Sequence, residues 1–257
     1  MTQSTPIKAL LVCLAQAGSV FFVHSAVAQN TSEVGIGLGG LSYKGELSPR
    51  YQFRNNRPAF TAFYRKDISA PVTLRGAITG GLLRAADETV KGVNNDTAPL
   101  AAYRNANLKG SLWEVSGALE YNFFDFHNRK DKVHFTPYVF VGIAGFYAHT
   151  RVIGRGIANS EYNSLVGVAI PAGLGFKYAL SQHWNLGLEA GARKTFTDNI
   201  DRYNGKDLPT ASSDVRVLGN PNDKDWYFYN GLSISYTFYK IRCPEGTLDI
   251  QKNKKNR

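Results

Sequence analysis

The chain has 257 residues, a formal net charge of +10 and a mean hydropathy of -0.26. Two cysteines, one of them inside an N-terminal apolar run, exclude a disulfide scaffold. No later segment has the unbroken apolar length of a transmembrane helix.

The first element reads as an export signal. Lys8 supplies a positive start, Ala9 to Val23 is mostly apolar and uncharged, and Ala26-Val27-Ala28 is a small-x-small cleavage site. A signal peptide is therefore expected over residues 1–28, a barrel over 29–240 and a basic tail over 241–257. An uncleaved N-terminal anchor is the alternative. Cleavage would leave Cys243 as the single cysteine.

Eight strand-length segments follow, separated by turn and loop residues. Strand one spans 34–43, with Val34, Ile36 and Leu38 alternating with glycines, and a polar loop covers 44–57. Strand two spans 58–66 and turns over 67–71. Strand three spans 72–83, with Val72, Leu74, Ile78 and Leu82 on one face and Thr73, Arg75, Ala77 and Thr79 on the other. Residues 84–107 read as a long loop rich in Asn, Asp and Ala. Strand four spans 108–124, placing Trp113, Val115, Leu119, Tyr121 and Phe123 opposite Glu114 and Glu120. A charged turn at 125–132 leads to strand five, 133–148, which is apolar on both faces and leaves its parity open.

After a loop at 149–162, strand six spans 163–179. It sets Val166, Val168, Ile170, Leu174, Phe176 and Tyr178 against Gly167, Ala169, Gly173, Gly175 and Lys177. A turn at 181–183 precedes strand seven, 184–196, with Trp184, Leu186, Leu188 and Ala190 outward and Glu189, Gly191 and Arg193 inward. The longest loop covers 197–225. Strand eight, 226–239, places Trp226, Phe228, Leu232 and Ile234 on one face and Ser233 and Ser235 on the other.

A side lined by large apolar groups, opposite a small, hydroxylated or charged side, fits lipid outside and a polar interior. A tilted strand of about ten residues crosses a bilayer, and only a closed barrel leaves no unpaired backbone edge there. The fold expected is an all-β, eight-stranded antiparallel transmembrane barrel in the outer membrane of a Gram-negative bacterium. Long loops would lie outside the cell and short turns, with both termini, in the periplasm. A soluble lipocalin-like barrel or sandwich is the alternative.

An eight-stranded barrel is narrow and filled by side chains. Arg75, Glu114, Glu120, Glu189 and Arg193 would then share the lumen, where charges must pair. The expectation is an ion-paired plug and not a pore. Catalysis finds little support. His127, His134, His149 and His183 lack metal-type spacing, and His149 near Thr150 and Ser160 could form a hydrolase rim only if something oriented it. Glycines 35, 37, 39 and 40 lie in a strand with no helix following, which removes a phosphate-loop mechanism. No catalytic residue, metal, cofactor or small-molecule substrate is expected.

The tail carries Lys240, Arg242, Lys252, Lys254, Lys255 and Arg257 against Glu245 and Asp249. Export argues against nucleic acid and for lipid phosphates or an acidic partner. Lys240, Arg242 and Cys243 would sit where the barrel meets that partner.

Several ordered stretches carry a family resemblance. They are Arg57-Pro58-Ala59-Phe60 with Phe63-Tyr64-Arg65; Leu74-Arg75-Gly76; Trp113-Glu114-Val115 with Leu119-Glu120-Tyr121-Asn122; Thr136-Pro137-Tyr138-Val139-Phe140; Ile170-Pro171-Ala172-Gly173-Leu174-Gly175; Arg193-Lys194-Thr195-Phe196-Thr197-Asp198; and Cys243-Pro244 after the last strand. Their order resembles the Bacteroidota outer-membrane barrel family that includes PorG of the type IX secretion system. Departures fall in loops, at Asn199 to Tyr203 and in a shortened Val152 to Asn159. The resemblance implies a non-enzymatic barrel that anchors periplasmic ring proteins, PorK-like and PorN-like, to the outer membrane. A small adhesive barrel binding a ligand or surface through its outer loops is the alternative.

Overall fold

In the computed structural model, residues 30–45, 47–48, 51, 55–90, 96–125, 134–154, 161–197, 200 and 224–240 are described. The expected signal peptide and the tail at 241–257, with Arg242 and Cys243, lie outside them. So do most of the turn expected at 125–132 and most of the loop after strand seven.

Eight strands form a closed antiparallel barrel in sequence order. They are β1 (Asn30–Lys44), β2 (Arg57–Asp67), β3 (Val72–Ala86), β4 (Asn107–Asn122), β5 (Phe135–Ile153), β6 (Asn163–Ala179), β7 (Trp184–Thr195) and β8 (Trp226–Lys240). Closure is made by β1 on β8, from Asn30 opposite Lys240 to Lys44 opposite Trp226. No edge remains, so every strand is a central one.

Polarity is inverted relative to a water-soluble domain. Leu38 is 75% exposed and Val166 77%, whereas Glu114 and Glu120 are each 1% exposed. Outward residues alternate strictly with inward ones along β4 and β6. Two aromatic girdles bound the apolar band. One, at the short-turn end, includes Tyr121, Phe123, Phe135, Phe176, Trp184 and Tyr236. Phe135 stacks on Phe176 at 5.3 Å, and Trp184 meets Tyr236 edge-on at 5.3 Å. The other includes Phe60 against Trp113 at 5.5 Å. This is the surface of a membrane-spanning barrel.

Outward parity on β3, β4, β6, β7 and β8 is as the sequence indicates. For β5 the structure resolves the parity: Val139, Val141, Ile143 and Tyr147 face out, and Tyr138, Phe140 and Phe146 face in. Both faces are large and apolar because the inward rings fill space left by glycines. The Tyr138 ring lies over Gly175, where a Cβ would fall 2.5 Å from its hydroxyl.

Several boundaries differ from expectation. β1 begins at Asn30 and not at residue 34, because Thr31 and Glu33 are polar groups pointing into a polar lumen. β5 runs on to Ile153, through residues expected in a loop. Thr150 there is buried, and its hydroxyl donates to the Ile200 carbonyl at 3.1 Å. The stretch 84–107 is partly ordered. It contains a 3-10 turn at Asp87–Thr89 and a short helix, α1 (Pro99–Arg104). Arg104 grips Asp87 through Nε at 2.9 Å and Nη2 at 2.6 Å, and Asn105 caps α1 in the left-handed region at φ 46°.

The β5–β6 ladder pairs Val141 with Ala172 and resumes at Ala144 with Ala169. Pro171 falls in this gap. Lacking an N–H, it cannot donate to a neighbouring strand, and a closed barrel offers no edge on which to place it.

The connections alternate. Short ones at 68–71 and 180–183 share one end with Asn30 and Lys240; the stretches 45–56, 87–106, 154–162 and 196–225 share the other.

Candidate functional site

The lumen holds one connected polar cluster to which all eight strands contribute. Glu120 of β4 is its hub. It accepts from Arg65 Nε at 3.0 Å and from Lys177 Nζ at 2.6 Å, and it forms an ion pair with Arg75 Nη1 at 3.1 Å. Arg65 also reaches Glu33 at 2.8 Å, and Arg75 also pairs closely with Glu189. Arg193 joins Glu189 at 3.6 Å to Glu114 at 3.4 Å. Tyr227 of β8 donates to Glu114 at 2.7 Å, and Tyr138 of β5 donates to Glu189 at 3.2 Å.

Four cations thus face four carboxylates: Arg65, Arg75, Lys177 and Arg193 against Glu33, Glu114, Glu120 and Glu189. The cluster is formally neutral. Buried charges are tolerated only when paired with good geometry and their remaining hydrogen-bonding capacity is used. Aromatic faces supply a second form of compensation. Arg65 lies 4.1 Å from the Phe63 ring centroid, Arg75 4.5 Å from Phe140, Lys177 4.7 Å from Tyr138 and Arg193 5.4 Å from Tyr229.

The cluster is sealed on both sides. Towards the short turns, Asn122 donates to Thr73 at 2.9 Å and accepts from Lys177 at 3.0 Å, while Thr73 and Thr31 both donate to Asp67. Towards the long loops, Leu41, Leu83, Leu108, Leu112, Phe146 and Val152 form an apolar layer. Ile200, fully buried, caps that layer. Its N–H donates to Asp225 at 3.0 Å, and Asp225 also accepts from the Tyr43 hydroxyl. The cavity beside Arg75, Glu189 and Arg193 is about 10 Å³, room for about one water molecule.

The structure brings together all five charged residues singled out from the sequence, Arg75, Glu114, Glu120, Glu189 and Arg193. It adds three more. Lys177 was visible as an inward position of strand six. Glu33 fell before the expected start of strand one. Arg65 was hidden because β2 carries large residues on both faces, Phe63 inward and Tyr64 outward. Lys240 ends β8 opposite Asn30. His149, expected in a loop, lies in β5, stacked on Tyr162 at 4.9 Å and within 3.0 Å of Ser164 Oγ. Ser160 lies outside the described residues. Among the described residues no group of three His, Cys, Asp or Glu is placed to hold a metal ion.

Residues 12–245 match the family described as Domain of unknown function (DUF6089). No curated protein matches the chain. The fold is similar to that of Ail, the attachment invasion locus protein of Yersinia pestis, at 11% identity and a TM-score of 0.44, covering 82% of this chain and 99% of that one. It is similar to a major outer membrane protein from Thermus thermophilus, at 13% identity and a TM-score of 0.45, covering 80% and 99%. It also resembles the N-terminal β-barrel domain of Pseudomonas aeruginosa OprF, at 14% identity and a TM-score of 0.42, covering 82% and 98%.

Proposed function

The chain belongs to the DUF6089 family, and from that premise we propose that it is a non-enzymatic outer-membrane barrel that anchors periplasmic components of a type IX protein-secretion machine. The observation that carries this reading is the closed lumen. A barrel filled by a neutral ion-pair cluster and capped at both ends is built to stay in a membrane, not to conduct. What it offers to other proteins is its surface. The strand ends Asn30 and Lys240 share one end with the turns at 68–71 and 180–183. On this reading the turns at that end form the partner-facing side, and the basic residues of 241–257, which follow Lys240 in sequence, serve the same acidic partner. The ordered resemblance to the PorG-containing family supports ring proteins, PorK-like and PorN-like, as the partners.

Deletion of the gene, followed by measurement of exported cargo, tests this reading. Loss of export with intact outer membranes supports it. Normal export with altered surface adhesion overturns it in favour of a loop-binding adhesive barrel. That second reading draws on one observation, the loop segment at Ile200 pinned against Asp225 and Thr150 at the outer mouth.

A further inference from the structure

Arg84 of β3, Lys109 of β4 and Arg151 of β5 are direct register partners: Arg84 lies opposite Lys109, and Lys109 opposite Arg151. All three project from the outer wall. Arg84 and Lys109 are exposed and Arg151 is half-buried, its guanidinium 5.9 Å from the Tyr162 ring centroid. Registered partners across antiparallel strands have Cα atoms about 4.5–5.5 Å apart, so three cations share a stretch of wall about 10 Å wide.

Like charges placed directly opposite one another on one face of a sheet are destabilising. Among the described residues, neither Arg84 nor Lys109 has an ion-pair or hydrogen-bond partner through its side chain. Arg151, and Glu161 just before β6, each make further contacts within the chain, so the unmatched charges of the row are those of Arg84 and Lys109. Arg84 and Lys109, set opposite each other with no side-chain partner among the described residues, therefore call for an anion supplied from outside the chain.

Its position says which kind. On β4, Trp113 belongs to an aromatic girdle and Lys109 lies four residues beyond it; on β5, Tyr147 and Arg151 stand in the same relation. On β3 the last apolar outward residue is Leu82, two before Arg84. The row thus lies at the edge of the apolar band, at the end that carries the long connections, with Ile153 the one outward apolar residue beyond it on β5. Lipid headgroups occupy that level. The stems of Arg and Lys can lie along the apolar wall while their charged ends reach the headgroup layer.

We propose that Arg84, Lys109 and Arg151 form a binding site for the phosphorylated headgroup of an outer-leaflet glycolipid. The inference rests on the barrel being membrane-spanning with its long loops outward. The Arg84 guanidinium can bind a phosphate in bidentate fashion, Lys109 opposite it adds a point charge, and Arg151 adds positive charge beside them. His149, Ser164 and Tyr162 flank the row, with Tyr147 and His149 both within hydrogen-bonding distance of Ser164 Oγ, at 2.9 and 3.0 Å.

The test titrates a fluorescent bis-phosphorylated glycolipid, and the same lipid with its phosphates removed, into the full-length barrel in zwitterionic detergent. Wild type is expected to prefer the phosphorylated form. A basic residue near an anionic lipid surface contributes about fivefold in affinity. The triple variant R84Q/K109Q/R151Q should therefore bind about a hundredfold more weakly. K66Q, an outward lysine at the short-turn end, should bind as wild type does. Heat-modifiable migration verifies that each variant is folded. If the triple variant fails that check, the single variant K109Q and the wild-type preference for phosphate decide. Equal binding of the two lipids by wild type, or full binding by a folded triple variant, overturns the site while leaving the barrel and its proposed role untouched.

Discussion

Lys177 Nζ on β6 donates to Glu120 Oε2 on β4 at 2.6 Å, although β5 lies between their strands in the wall. The contact passes over the inward Tyr138 ring of β5, 4.7 Å from the ammonium group. Charge and aromatic packing are thus one construction, and removing either should disturb the other.

Glu120 serves three cations, so its neutralisation leaves the largest uncompensated charge in the lumen. Glu120→Ala should destabilise the barrel by about 3–5 kcal/mol, read as a lower midpoint in urea-induced unfolding from lipid vesicles. Replacing Glu120 and Lys177 together by an apolar pair should cost less than Glu120→Ala alone. A midpoint unchanged in the single variant would show that the cluster is not buried.

Gly175 has room only for a hydrogen beneath Tyr138. Gly175→Val should displace the ring from Glu189 and Lys177 and lower stability by about 1–3 kcal/mol, as overpacking does. The double variant with Tyr138→Ala should recover part of that loss in the same unfolding assay. Additive losses would mean the two residues do not touch.

Leu232 faces outward at 58% exposure, and its neighbour Ser233 lines the small lumen cavity. An arginine at Leu232 should cost about 2–4 kcal/mol near the midplane. Arginine at Ser233 meets no lipid but enters a filled interior beside Arg75 and Arg193, so its penalty should respond to a compensating Glu, whereas that at Leu232 should not. Vesicle unfolding of both variants separates the two environments.

Asp225 ties Ile200 and Tyr43 to the outer mouth. Asp225→Ala removes a buried acceptor from at least two donors and should cost about 1–3 kcal/mol. It should also speed hydrogen exchange at the Ile200 amide, which loses its acceptor, while the barrel itself stays heat-modifiable. Unchanged exchange at Ile200 would show that Asp225 does not hold it.

Much of the barrel was legible because lipid on one side and a polar lumen on the other force strict alternation. Trp113 against Glu114 and Leu188 against Glu189 carry that signal without ambiguity. It failed where the lumen is aromatic. Phe63, Tyr138 and Phe146 face inward over glycines, so β2 and β5 look apolar on both sides, and the cation beside Phe63, Arg65, was missed. It failed again where strands leave the membrane. Thr31 and Glu33 fall before the expected start of strand one, and His149 to Arg151 in an expected loop, because polarity outside the bilayer no longer reports which residues are paired in the sheet. The pairing of Arg104 with Asp87, which orders α1, joins residues whose separation follows no helical or strand period, and nothing in the sequence announces it.

Conductance across a planar bilayer tests the central claim, that this barrel is closed and serves as an anchor, most directly. The purified full-length chain, inserted and verified by heat-modifiable migration, should give no steady current, because the ion-pair cluster and the apolar layer above it fill the lumen. Glu120→Ala, which unbalances that cluster, should give brief openings or none. A large, steady, ohmic conductance from the wild-type barrel would contradict the plug and, with it, the reading of this protein as an anchor.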